Sequence, residues 1–191
     1  MSTLRVGNIT ATGGTGTITV PTGNQISQVD RPSGLVLVKT QTIGTAVSSV
    51  TVSDVFSADF DSYQIQITGG ASSTGTDLGI QLGSTTSNYA YGITQIYLVD
   101  GSTGVLRSNS ANRWVYVGGG TSSGLVMNAI LLNPFLSKYT FVQSNWWGSD
   151  VYTGMCNGVL RDTSSYSAFT VATASGTMTG GTIRVYGYRN S

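Results

Sequence analysis

The residues best suited to contact chemistry lie in "QSNWWGSDVY", Gln143 to Tyr152. Trp146 and Trp147 are adjacent, so on a strand their side chains go to opposite faces. An exposed indole beside Asn145, Asp150 and Tyr152 has the parts of a sugar-binding surface. The ring stacks on the apolar face of a saccharide, and the amide and carboxylate bond its hydroxyls. The same residues serve to cover a sheet edge or a subunit interface, and one of the two indoles is expected in a core. A second group is "NRWVYV", Asn112 to Val117. Arg113, Trp114 and Tyr116 are types enriched where protein surfaces meet, although ordinary core packing explains one of the two aromatics.

Bond-making chemistry has far less to work with. The chain has no histidine, which excludes a Ser-His-Asp triad and a histidine-ligated metal. Cys156 is the single cysteine, so no intrachain disulfide forms, and its place in an apolar strand reads as packing. Asp54, Asp59 and Asp61 cluster in "VSDVFSADFDSY", where either a hard cation or turn-capping side chains would use them. They lack the glycine-spaced loop of a calcium hand. "GGGTSSG", Gly118 to Gly124, has no lysine after its glycines and reads as a flexible connection, not a phosphate loop. No enzyme activity, cofactor or metal is expected.

The elements that position these residues are strands. Charged residues make up 9% of the 191 residues, well below what soluble domains ordinarily carry, and every acid is aspartate. A chain this rich in Thr, Ser, Gly, Val and Tyr spends its residues on strands and tight turns, not on exposed helices. A net charge of +1 supplies no basic stripe for nucleic acid, and no apolar run is long enough to cross a membrane as a helix. Met1 is followed by polar residues, so no cleaved export signal is expected. A surface with so little charge suits a protein partly covered by sister chains.

The reading along the chain is an N-terminal arm over residues 1–30, a linker over 31–34 and a β domain over 35–191. The arm carries Leu4, Val6, Ile9, Ile18, Val20 and Ile26 between glycine-threonine turns, and hairpins of this size are marginal alone. Its apolar side chains are expected to dock on neighbours. "LVLVKTQTI", from Leu35, is continuously apolar at its start, which predicts a strand covered on both faces. "YQIQIT" alternates, with Tyr63, Ile65 and Ile67 on one side and Gln64, Gln66 and Thr68 on the other. Eight further runs follow, giving about ten strands with regular turn signals. The fold predicted is all-β, an antiparallel, jelly-roll-like β-sandwich with an extended N-terminal arm.

Three segments carry a resemblance. "STLRVGNITATGGTGTITVPTGNQISQVD" resembles the N-terminal segments of virion structural proteins from tailed bacteriophages, notably marine and cyanobacterial ones. "SGTMTGGTIRVYGYRN", near the other end, resembles the last strand of β-sandwich domains in that class. "DFDSYQIQITGG", Asp59 to Gly70, resembles an early strand of the same domains, with Tyr63 at the aromatic position. The resemblance implies a non-enzymatic virion surface protein, made in the host cytoplasm and assembled as a homotrimer. It further implies a tail-fibre-like component whose arm docks on other virion proteins, and whose sandwich faces outward to a host-surface glycan. A capsid decoration protein and a stand-alone carbohydrate-binding module are the alternatives.

Overall fold

The computed structural model describes residues 34–148 and 151–189. No helix occurs among them, and strand follows strand. The first seven are β1 (Leu35–Thr42), β2 (Ser49–Val52), β3 (Ser62–Thr68), β4 (Ala71–Ser72), β5 (Thr76–Leu82), β6 (Tyr89–Tyr97) and β7 (Thr103–Ala111). Then come β8 (Trp114–Thr121), β9 (Gly124–Leu132), β10 (Thr140–Gly148), β11 (Tyr152–Leu160), β12 (Phe169–Thr173), β13 (Met178–Thr179) and β14 (Thr182–Tyr188). All pairings are antiparallel. The all-β, sandwich-like class read from composition and alternation is the class observed.

Eight strands form the larger layer, in the order β1-β14-β3-β9-β10-β11-β6-β7. Four form the smaller one, β2-β12-β5-β8. They meet at β9, whose first residues pair with β8 while those from Asn128 onward pair with β10. The sheet thereby curls over itself. β4 and β13 make a separate two-stranded ladder.

Burial explains the curl. β3 sends Tyr63, Ile65 and Ile67 inward with no exposure, and Gln64 and Gln66 outward, as its alternation dictates. Those three meet Leu78, Ile80 and Leu82 of β5 and Phe169 and Val171 of β12 in one core. At its lower end Tyr63 Oη donates to the Ser57 carbonyl at 3.1 Å and accepts from the Ser57 N–H at 2.8 Å. That pins the irregular stretch ahead of β3. Asp59 belongs to the same turn, accepting from the Ser57 hydroxyl at 3.1 Å, which is capping chemistry of the kind its sequence permits.

Two expectations need correction. β1 is not covered on both faces: it sits at an edge, pairs only with β14, and leaves Leu35 48% and Leu37 54% exposed. The glycine run is not a flexible connection either. Gly118, Gly119 and Gly120 are buried residues of β8, paired with Met127, Val126 and Leu125, and only Ser122 and Ser123 form the turn. The reason is steric. β10 passes so close that a β-carbon on Gly119 would collide with the Trp147 carbonyl oxygen. Glycine is required there for approach, not for motion.

Candidate functional site

The two tryptophans of β10 do go to opposite faces. Trp146 is 3% exposed and Trp147 is 45% exposed. Cross-strand register fixes who joins each of them.

On the inner side, Trp146 packs with Ile93 and Cys156. Tyr116 meets it edge-to-face at 5.5 Å, and Tyr152 lies nearly parallel to it at 6.2 Å. Tyr91 continues the series beyond Tyr116, and Tyr97 beyond Tyr152. The indole N–H of Trp146 donates to Asp77 Oδ1 at 2.9 Å. Burial raises the Asp77 carboxyl above its usual range, and the Trp146 bond offsets part of that. The Cys156 thiol is pushed up to about 12 by burial, which makes it packing and not a nucleophile. Trp146, Tyr116 and Tyr152 are thus brought together, but as an interior cluster.

Trp114 is elsewhere, fully buried in the main core and edge-on to Tyr89 at 5.0 Å. Its burial corrects its reading as a contact residue, since no partner or sugar can reach it. Half-buried Arg113 donates from Nη2 to the Thr173 carbonyl at 3.3 Å, tying β8 to β12. Asp150 and the arm residues Leu4, Val6, Ile9, Ile18, Val20 and Ile26 lie outside the described residues.

The outer side is a continuous surface across the eight-strand layer. In register with Trp147 are Thr153 and Ile96; one row along are Gln66, Asn128, Asn145, Met155 and Thr94. The next row holds Leu37, Tyr186, Gln64, Ile130, Gln143, Asn157, Gly92 and Arg107, and the last runs from Leu35 through Leu132 and Phe141 to Val159. Six side-chain amides therefore occupy the middle of the face, and Gln64 Nε2 donates to Asn128 Oδ1 at 2.7 Å. Apolar groups flank them on both sides.

Shallow hollows follow these rows. Trp147 lines two: one of about 410 Å³ with Asn145, Thr153 and Met155, and one of about 360 Å³ with Leu98, Leu125 and the β8–β9 turn. Phe141 lines two more, about 290 Å³ beside Gln143 and Leu132, and about 510 Å³ beside Arg107 and Arg161. Exposed rings standing between hollows, with amides alongside, suit stacking and hydroxyl hydrogen bonds. None of the eight strands contains an aspartate or glutamate. Sequence reasoning found Trp147 and Asn145. It missed the amide band, whose members are distant in the chain, and Asp77, a lone acid with no patterned neighbours.

No protein-family model matches the chain, and no curated protein matches it. Among solved structures, the chain is similar to one titled "Structure of the tripod (BppUct-A-L) from the baseplate of bacteriophage Tuc2009". The identity is 15%, the alignment covers 99% of this chain and 84% of that one, and the TM-score is 0.28. A superposition that loose carries no reading of this chain.

Proposed function

We propose that the chain is a non-enzymatic surface protein of a tailed-phage virion. It works as a homotrimer, attached to other virion proteins through residues 1–30, and meets the host surface with the outer face of its larger layer. One observation carries the reading. Eight large apolar side chains stay exposed on that single face: Leu35, Leu37, Leu132 and Phe141 toward one end, and Trp147, Met155, Ile96 and Val105 toward the other. Exposed apolar surface gathered on one face marks contact with another macromolecule.

Further support comes from β1, a strand apolar on both sides of which one chain buries only one. Copies packed side by side would cover the other. The resemblance at Ser2–Asp30, Asp59–Gly70 and Ser175–Asn190 points the same way. Many copies on a particle turn individually weak saccharide contacts at the amide band into lasting attachment. A decoration role on the capsid is the second reading, favoured by the described strands forming a two-layer domain with no repeating shaft.

Light scattering on the full chain tests the assembly. The expected mass is three times the 19.9 kDa of one chain, falling to that of one chain when Leu35→Asp and Leu37→Asp on β1 are combined. A monomeric wild type overturns the trimer, and a monomer that still binds sugar identifies a stand-alone module instead. Particles lacking the product then separate the roles: lost adsorption marks a fibre component, lost head stability a decoration protein.

A further inference from the structure

The hollow of about 510 Å³ at the β7 side of the outer face differs in kind from the others, because two guanidinium groups line it. Arg161, just beyond β11, donates from Nη1 to Asn109 Oδ1 at 2.8 Å, which fixes its plane against β7 while leaving its other nitrogens free to donate. Arg107 enters from β7, opposite Gly92 in the register. A side chain on Gly92 would meet nothing, so the floor between the arginines and Asn157 is open. Phe141 forms an apolar wall at 44% exposure.

Among the described residues, no carboxylate is hydrogen-bonded to either guanidinium of this hollow. The carboxylates that carry hydrogen bonds bind other partners: Asp59 takes Ser57, Asp77 takes Trp146, Asp100 takes Ser102 and Asp162 takes Ser164. On the outer side the strands of the larger layer carry Arg107 and Arg184 and no acid, so these rows are positive although the whole chain is nearly neutral. Lys39 is turned to the inner side, in register with buried Val185 and donating to the Ser53 carbonyl. Guanidinium donates two parallel N–H bonds to a planar carboxylate or to a phosphate. The amide band leads from this hollow toward Trp147, roughly 20 Å away by strand and row spacings.

We propose that Arg107 and Arg161 form a subsite for an oxyanion, carboxylate or phosphate, carried by a saccharide chain that lies along the amide band and stacks on Trp147. The proposal rests on the host-surface reading and narrows it to acidic glycans. A nucleic acid carries phosphates too, but one at every nucleotide, and two arginines at one end of a face do not track such a backbone.

The test titrates the full chain at low salt with four probes: an oligogalacturonate, its neutral methyl ester, an oligo(ribitol phosphate) and oligo(dT). The oligogalacturonate, the ribitol phosphate or both are expected to bind about ten-fold or more tightly than the ester, as one charge-assisted pair implies. Which of the two does so separates carboxylate from phosphate. Arg107→Gln and Arg161→Gln should each remove that preference with an unchanged melting temperature. Arg107 is the safer of the two because it anchors no neighbour. Equal binding of the ester, or a preference that survives both substitutions, overturns the subsite and leaves the host-surface reading standing. Oligo(dT) bound as tightly as the acidic saccharides overturns the glycan assignment. No saccharide binding at all overturns this proposal, and the trimer measurement then decides the broader reading independently.

Discussion

Trp146 and Trp147 are neighbours in sequence, yet they belong to different regimes of the molecule. The inner indole has its N–H satisfied by a half-buried carboxylate and its ring enclosed by tyrosines, whereas the outer one stands between two hollows at 45% exposure. The backbone treats them alike, since β10 pairs both residues with β11 without a break. What differs is the layer behind. The smaller layer covers only one side of the larger, so one face must be close-packed while the other stays free to carry amides and exposed rings. On the proposed reading, stability and recognition fall on opposite sides of the same strands.

Substitutions can break that division, and the largest effect lies inside. Trp114→Ala empties a fully buried site and should cost about 3–5 kcal/mol in denaturant unfolding. Gly119→Ala comes next: a single methyl there meets the Trp147 carbonyl oxygen and should cost about 1–3 kcal/mol as the two backbones are forced apart. A smaller loss than that would mean β8 and β10 are not in close contact.

Trp146→Phe sharpens the comparison. It keeps a ring but removes the donor from Asp77, for an expected loss of about 1–3 kcal/mol by thermal or chemical unfolding. Its signature is pH dependence. Asp77 holds its proton in the folded state above the pH at which the unfolded chain has released it. Stability therefore falls as pH rises from the ordinary value of 3.8 through the raised one. Losing the Trp146 bond should extend that decline to higher pH, and Asp77→Asn should abolish it. Melts of the three proteins across the acidic range check the sign. Smallest for stability is Trp147→Ala, expected to cost about 1 kcal/mol because its indole is only half covered. The same change should weaken every saccharide contact, so an inert Trp147→Ala in binding would reassign the outer face.

Much of this is legible in the sequence. The alternation of Tyr63, Ile65 and Ile67 gives β3 its inner face, and the adjacency of two tryptophans forces one outward. β7 was not legible, because Thr103–Ala111 is an edge strand exposed along most of its length. Without a core to face, "TGVLRSNSA" has no reason to alternate, and so nothing in the sequence singles out Arg107. The glycines of β8 misled for the opposite reason. Their composition signals a loop, while the constraint, another backbone at contact distance, comes from residues almost thirty positions away. The amide band is a property of register, and register joins β3, β9, β10 and β11 only after the chain has folded.

The most direct measurement uses the three indoles as mutual controls. In an amide-proton spectrum of the full chain titrated with oligogalacturonate, the Trp147 side-chain N–H should shift while those of Trp114 and Trp146 stay in place. A Trp147 signal that never moves, or a Trp146 signal that moves in step with it, would contradict the assignment of recognition to the outer face.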